Sequence, residues 1–369
     1  MKYVVLTLIM ASLLLIQKEN QDSTTPTIDV LLDLNGKRAF EKRISKITIN
    51  GKTLSFKEYK NLGEEIFTKG FVNKSPVTGA KSKHVSKYID YTCIKCHNNV
   101  REDQVLTVQS PDNRFKDFKN NSKVKLVQGT TLWGAVNRTS FYNGHYKKYH
   151  SLLLPKPEIS NKKQVDCEKT KDKCKKINPL SLAESIQICS YYCSDGIGYL
   201  EDWELNSVLA YLWTLELSID DLSLKKGERK KIIEILTNRH KYSEEKIKEQ
   251  ENKIKNAYLQ KSSATPRDKV KVNRVNRWQG ENMKSNPNFK PSAQFGKLLY
   301  DKTCLHCHFE GSSVSDDIDE DLYYDDEEFH KMLQLGKKGT KKKPYMPEYT
   351  LERLSKEQVL HIKEYLKQL

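Results

Sequence analysis

The sequence predicts a mainly α protein: two similar helical domains joined by a charged helical linker. Three observations predict it. An amphipathic helical stretch, a C-x-x-C-H motif, loops and a second amphipathic stretch follow one another in that order twice. Between the two copies lies a run of helix formers with Glu and Lys four residues apart, as in Glu244–Lys248 and Glu249–Lys253. The 369 residues leave room for about two domains of ordinary size.

The elements follow in chain order. Residues 1–20, "MKYVVLTLIMASLLLIQKEN", place Lys2 before an apolar run from Tyr3 to Ile16 and then turn polar. That is the layout of a signal peptide. The run is short for a spanning helix, which needs roughly 20 apolar residues, so an uncleaved anchor is the one membrane attachment it allows. Residues 21–54 form an N-terminal extension, polar and irregular, with a short strand in "KRISKITING". Residues 55–222 form the first domain, with a long insertion at 100–180. In "NLGEEIFTKG", Leu62, Ile66 and Phe67 recur at helical spacing, and Gly63 stands four residues ahead of Phe67. "DWELNSVLAYLWTLEL" (202–217) closes this domain as an amphipathic helix that starts after a capping-type residue, Asp202. Residues 223–287 read as a solvated charged helix, broken at "SSATPRD" and followed by an extended linker. Residues 288–369 repeat the first pattern. Gly296 stands four ahead of Tyr300, Phe295, Leu298 and Leu299 mark the helical face, and "LSKEQVLHIKEYLKQL" is a final helix capped by Ser355.

The two C-x-x-C-H motifs are Cys93, Cys96 and His97, then Cys304, Cys307 and His308. Two cysteines at this spacing with a histidine directly after the second are the signature of c-type haem attachment. Zinc would require the paired cysteines to meet other ligands, and the His following each motif favours haem. The expected cofactors are two covalently attached haem c groups, with His97 and His308 as proximal iron ligands. Covalent haem agrees with export, so the expected location is periplasmic or otherwise exported, in a bacterium. Of the eight cysteines, Cys167, Cys174, Cys189 and Cys193 remain. In an oxidising compartment spare cysteines tend to pair, and "CEKTKDKC" reads as a small hairpin closed by Cys167 and Cys174.

The net charge is +16, with 30% charged and 37% hydrophobic residues. Basic chains meet nucleic acid, anionic surfaces or acidic partners. No zinc-finger, RNP or helix-turn-helix signature accompanies the charge, which excludes nucleic acid as a partner class here. Most of the excess is lysine in "KKGERKK" and "GKKGTKKKP", the composition of a solvated surface. The acidic stretch "SDDIDEDLYYDDEE" reads as a solvated loop, and its spacing does not fit the EF-hand pattern.

The repeated order of helix, C-x-x-C-H, loops and helix resembles the class I cytochrome c fold, in which the first and last helices cross over the haem. The resemblance implies two class I cytochrome c-like domains. Met346, in "KKKPYMPEYT" before the final helix, matches the distal loop of that fold and is implied as the second ligand of the second iron. Met332 is the rival, read as a core residue. His330 and His361 read as surface or packing histidines. A His/Met iron shuttles electrons at a raised potential.

The first domain has no such methionine. The methionines are Met1, Met10, Met283, Met332 and Met346, none of them between His97 and residue 222. The distal ligand candidates are His145, His150, Cys167, Cys174, Cys189 and Cys193, or an open site as in a peroxidase. Here "LSLAESIQICSYYCSDGIGYLEDW" resembles the ligand segment of the dihaem thiosulfate dehydrogenases and of the haem subunit of the bacterial sulfur-oxidising complex. In order come Cys189, Asp195-Gly196 and Ala210-Tyr211, with Trp133-Gly134 and Tyr142 upstream as the aromatic loop. The resemblance implies Cys189 as the thiolate ligand and the seat of any catalysis. Two arginines of the family pattern are replaced by Ser185 and Tyr192; Arg138, Lys147 and Lys148 are the cations that could stand in.

A thiolate is a soft anionic donor that stabilises ferric iron and lowers its potential. The resemblance therefore implies an oxidoreductase acting on a small sulfur anion, thiosulfate- or tetrathionate-like, at a His/Cys haem. Electrons would pass through the His/Met haem to a redox partner protein, a cytochrome or oxidase. The alternative is a pure electron-transfer cytochrome with no substrate of its own, and a dihaem peroxidase comes third.

Overall fold

The computed structural model describes residues 25–86, 91–101, 115, 118, 123–127, 129, 131–138, 181–193, 199–262, 288–305, 307–312, 325–336, 346, 349 and 354–369. The segment 1–20, Cys167, Cys174, His145, His150, Lys147, Lys148 and most of the acidic stretch lie outside them. The fold is mainly helical. Its one sheet among the described residues is a two-stranded hairpin, β1 (Thr48–Ile49) with β2 (Lys52–Thr53), paired as Thr48 opposite Thr53 and Ile49 opposite Lys52. The hairpin turns through Asn50 and Gly51, both at positive φ.

Residues expected to be irregular carry two short helices, α1 (Ile28–Leu31) and α2 (Gly36–Ile44). They form because Asp29 turns its carboxylate onto the start of α2, accepting from the Gly36 amide at 2.9 Å and the Lys37 amide at 3.3 Å. Satisfying orphan amides at a helix start in this way is what capping does.

Helix α3 (Phe56–Lys69) begins with a reciprocal cap. The Ser55 hydroxyl accepts from the Glu58 amide, and the Glu58 carboxylate accepts from the Ser55 amide at 2.8 Å. The helix ends at Gly70, whose φ of 77° only glycine adopts readily. Its apolar face, Ile66 and Phe67, is fully buried. Helix α4 (Cys93–Cys96) is the single turn of the first motif. Helix α5 (Leu182–Ile188) starts on a Ser181–Glu184 capping box and runs into a wider π-type turn, Cys189–Cys193. Helix α6 (Asp202–Trp213) is capped by Glu201 with Glu204, not by Asp202 as the sequence suggested; Asp202 is the first helical residue.

The stretch expected to be a solvated charged helix is instead two helices, α7 (Lys226–Thr237) and α8 (Glu244–Ser262). They are not merely solvated. Ile232, Ile235, Leu236 and Ile254 are buried against Ile28, Leu31, Leu217 and Ile219. The spacing of Ile232, Ile235 and Leu236 is that of one helical face, and the N-terminal extension supplies the other side of that core. Arg239 reinforces the joint, donating to the Leu31 carbonyl at 2.6 Å and pairing with Glu251 at 2.7 Å. Of the two ion pairs expected from spacing, Glu249–Lys253 forms at 2.7 Å.

The last unit holds α9 (Ala293–Thr303), α10 (Asp326–Leu335) and α11 (Lys356–Leu366). Ser292, Asp325 and Ser355 cap them through their side chains, Ser355 as the sequence predicted. Helix α9 crosses α11 as α3 crosses α6. A β-carbon at Gly63 would overlap the Ser207 carbonyl and lie 3.0 Å from the Tyr211 β-carbon; one at Gly296 would overlap the His361 carbonyl and lie 2.9 Å from that of Tyr365. In both crossings an aromatic pair closes the contact one turn on: Phe67 with Tyr211 at 5.1 Å between centroids, Tyr300 with Tyr365 at 5.5 Å. Among the described residues no helix is long and apolar enough to cross a membrane.

Candidate functional site

Each C-x-x-C-H motif is one tight turn. The His97 amide donates to the Cys93 carbonyl at 2.9 Å, and the His308 amide to the Cys304 carbonyl at 2.9 Å. The same backbone bond in both copies turns the two sulfurs and the imidazole out of one short loop. In the second copy Cys304 follows α9 directly; in the first, residues 70–92 intervene between α3 and Cys93.

Around the first motif, the chain beyond His97 is held by segment 125–132. Asn98 is clamped to Lys125 in both directions: its side-chain amide donates to the Lys125 carbonyl at 2.8 Å and its carbonyl oxygen accepts from the Lys125 amide at 2.9 Å. The Gly129 amide donates to the Cys96 carbonyl at 2.9 Å. A β-carbon on Gly129 would overlap both that carbonyl and Nδ1 of His97. The imidazole is therefore cradled on one side by bare backbone, and only glycine leaves it room. Asn99 donates to the Tyr211 hydroxyl at 2.7 Å, tying the motif to the α3–α6 crossing.

Cys93 and Ile94 pack against the core of Ile66, Phe67, Trp203 and Tyr211, together with Leu182 and Ile186 of α5. Gln187 fixes α5 to the entry of α6: it donates to the Leu200 carbonyl at 3.0 Å and accepts from the Leu200 amide at 2.8 Å. The next turn presents Cys189, a thiol rather than half of a disulfide. Cys189 lies close enough to bear on Cys93. The Cys93 thiol is pushed up to about 12, first by burial and then by the neighbouring Cys189. A π-type turn inside a helix is a frequent mark of functional sites, and here it begins at the residue that the sequence implied as a ligand.

The residues fit a haem. Cys93 and Cys96 are thiols, a histidine follows them against a glycine cradle, and a second sulfur stands nearby. Four buried polar atoms adjoining this region, Thr92 Oγ1, Trp133 Nε1, Ser185 Oγ and Ser190 Oγ, have no hydrogen-bond partner among the described residues. Buried polar groups are ordinarily satisfied, and Thr92, directly before Cys93, carries one such unsatisfied atom at the motif itself. Arg138, one suggested stand-in cation, donates to the Thr131 carbonyl at 2.5 Å. The side chains of Tyr192 and Cys193 lie outside the described residues, as do His145 and His150.

Around the second motif, the Tyr300 hydroxyl donates to the His308 carbonyl at 2.7 Å, and the Tyr349 hydroxyl to the Thr303 carbonyl at 2.9 Å. Met346 and Met332 both pack, with Cys304 and Tyr365, against the core of Leu299, Tyr300, Phe329, Leu333 and Ile362. The structure thus brings together the attachment cysteine and both methionine candidates. The Cys304 thiol is pushed up to about 12 by burial, then by Cys307. His361 is a packing histidine. Its ring stands between Phe289 and Phe295, at 5.0 and 4.7 Å, and accepts from the Ser292 amide at 2.8 Å. His330 is buried, and that burial pulls its pKa down to about 4, with Lys356 adding to the effect.

Sequence reasoning missed Gly129, Asn98 and Lys125. Gly129 carried a readable signal, an isolated glycine downstream of a motif; the Asn98–Lys125 clamp carried none.

Residues 291–366 match the family model described as cytochrome C oxidase, cbb3-type, subunit III. The matched stretch contains Cys304, Cys307, His308 and Met346. The C-terminal part of the chain is therefore a cytochrome c domain, which implies covalently bound haem c, electron transfer and a redox partner. No curated protein and no solved structure matches the chain.

Proposed function

We propose that the chain is an exported dihaem c-type cytochrome. It would oxidise or reduce a small sulfur anion of the thiosulfate or tetrathionate kind at a His97/Cys189 site and pass electrons on through a His308/Met346 site. The observation that carries the two-haem reading is the recurrence, around Cys93–His97, of the scaffold around Cys304–His308. Glycine crossing, aromatic pair and motif turn are the same in both copies. Haem, when bound, supplies the one-electron iron couple. The chain's own residues hold and tune it. His97 is set by Gly129 and by the Asn98–Lys125 clamp; Cys189 is set by α5 through Gln187.

Cys189 is what separates the first site from the second. A thiolate in a desolvated pocket favours the oxidised metal, whereas the thioether of Met346 favours the reduced one. Two sites of unlike potential in one chain give electrons a downhill direction. The test is direct. Thiosulfate or sulfite mixed with the oxidised protein is expected to reduce its haems; unchanged visible spectra with both anions would remove the sulfur substrate.

A second reading, a pure electron carrier, is favoured by one specific observation. The helix and turn that present Cys189, residues 181–193, contain no Lys or Arg. An anionic substrate would have to find its countercharge elsewhere. This reading expects Cys189 ligation without any anion effect.

The signal-peptide pattern at 1–20 supports export, and transport of the haem-loaded protein out of the cytoplasm is the expected result of expression with a c-type maturation system.

A further inference from the structure

The core of the cytochrome c domain at the C-terminus is not built from that domain alone. Phe118 and Leu126, from the insertion that follows the first motif, are buried in it beside Leu299, Tyr300, Phe329 and Ile362, with Phe115 partly buried against the same cluster. Phe115 meets Phe295 of α9 edge to face, with centroids 4.9 Å apart. The Lys302 ammonium stands 5.5 Å from the centre of the Phe118 ring. An edge-to-face pair and a cation over a ring each add to plain burial. Leu126 directly follows Lys125, whose backbone is clamped on both sides by Asn98, the residue after His97. The clamp on the first motif and a side chain inside the second domain's core therefore fall on neighbouring residues. Lys125 is also near both Lys95, within the first motif, and Lys302, two residues before the second. These two charges, after burial, hold its own pKa below the usual lysine value.

We infer that Phe115, Phe118 and Leu126 are positioning residues that fasten the first C-x-x-C-H motif to the second domain and so fix the gap between the two motifs. The fastening stands on these contacts; its consequence for electron exchange rests on the two-haem reading above. Electron transfer falls steeply with distance. A gap set by packed side chains keeps the rate constant, whereas a gap across a flexible joint does not.

The test uses the full-length, haem-loaded protein. Haem per chain is measured first. Calorimetry then compares wild type with Leu126→Asp, which puts a charge into the shared core, and with Phe115→Ala, a milder truncation at its edge that keeps folding in reach. Wild type is expected to unfold both motif-bearing units in one transition, and the substitutions to split it in two. Electron exchange between the haems after photoreduction of one of them is expected to slow, with both haem spectra unchanged. Two haems per chain with an unaltered single transition and an unaltered exchange rate in both variants would overturn the fastening. One haem per chain would overturn the two-haem reading instead, and the melting behaviour would still decide the fastening.

Discussion

The two motif-bearing units are built on one scaffold and differ where metal chemistry is decided. In each, a glycine lets two helices touch backbone to backbone, an aromatic pair closes the crossing, and a C-x-x-C-H turn hangs beside it. The second unit sets Met332 and Met346 near Cys304. The first has no methionine to offer and sets Cys189 near Cys93. Under the proposed function, scaffold and ligand are separable: the same crossing would serve a relay or a site of chemistry, according to whether Met346 or Cys189 holds the iron.

The comparison can be broken unit by unit. The largest effect is expected from removing an attachment motif. Cys304→Ala with Cys307→Ala, or Cys93→Ala with Cys96→Ala, should each lower the haem content from two per chain to one, read as the ratio of haem absorbance to protein. If the first pair leaves two haems and the second none, the units are not equivalent.

The crossings come next. Gly63→Ala and Gly296→Ala each force a β-carbon onto a carbonyl, and overpacking of that kind costs about 1–3 kcal/mol, occasionally more. Denaturant unfolding should show both losses, of similar size. A tolerant Gly63 would mean that the first crossing is looser than the second.

His330 separates the units by pH. Its folded pKa is about 4, below the ordinary 6.5, because burial disfavours the charged ring. The unfolded chain therefore binds more protons between those values, and stability must fall as the pH is lowered from about 6.5 towards 4. The loss belongs to the second unit. Unfolding measured across that range should flatten in His330→Leu.

Smallest are the hydroxyl deletions. Tyr300→Phe removes the bond to the His308 carbonyl and Tyr211→Phe the bond from Asn99. Each is expected to cost about 1 kcal/mol, and the visible spectrum should shift only for the unit that was altered.

Much of this architecture is legible in the sequence, for physical reasons that are local. The two crossing glycines can be read because close approach demands a missing β-carbon at a fixed offset from an aromatic residue. The motifs can be read because attachment chemistry demands their spacing. Ser355 can be read because a cap is a four-residue pattern. What escaped was long-range or competing. The buried face of α7, Ile232 with Ile235 and Leu236, is apparent in hindsight, but the surrounding lysines obscure it and its partner Ile28 lies far away in the chain. Asp202 reads as a cap because aspartate suits that position, but Glu201 holds it through a capping box with Glu204. Phe118 and Leu126 sit in an insertion whose local pattern gives no sign that its side chains end in another domain's core. Cys189 is implied by resemblance alone in the sequence; the structure sets it at the start of a π-type turn and near Cys93.

Electron paramagnetic resonance of the fully oxidised protein tests most directly the proposal that like scaffolds carry unlike irons. Two low-spin ferric signals are expected, one with the narrow spread of g-values of thiolate ligation and one of the His/Met type, with the first lost in Cys189→Met. Two signals of a single type, or a thiolate signal that survives Cys189→Met, would contradict it.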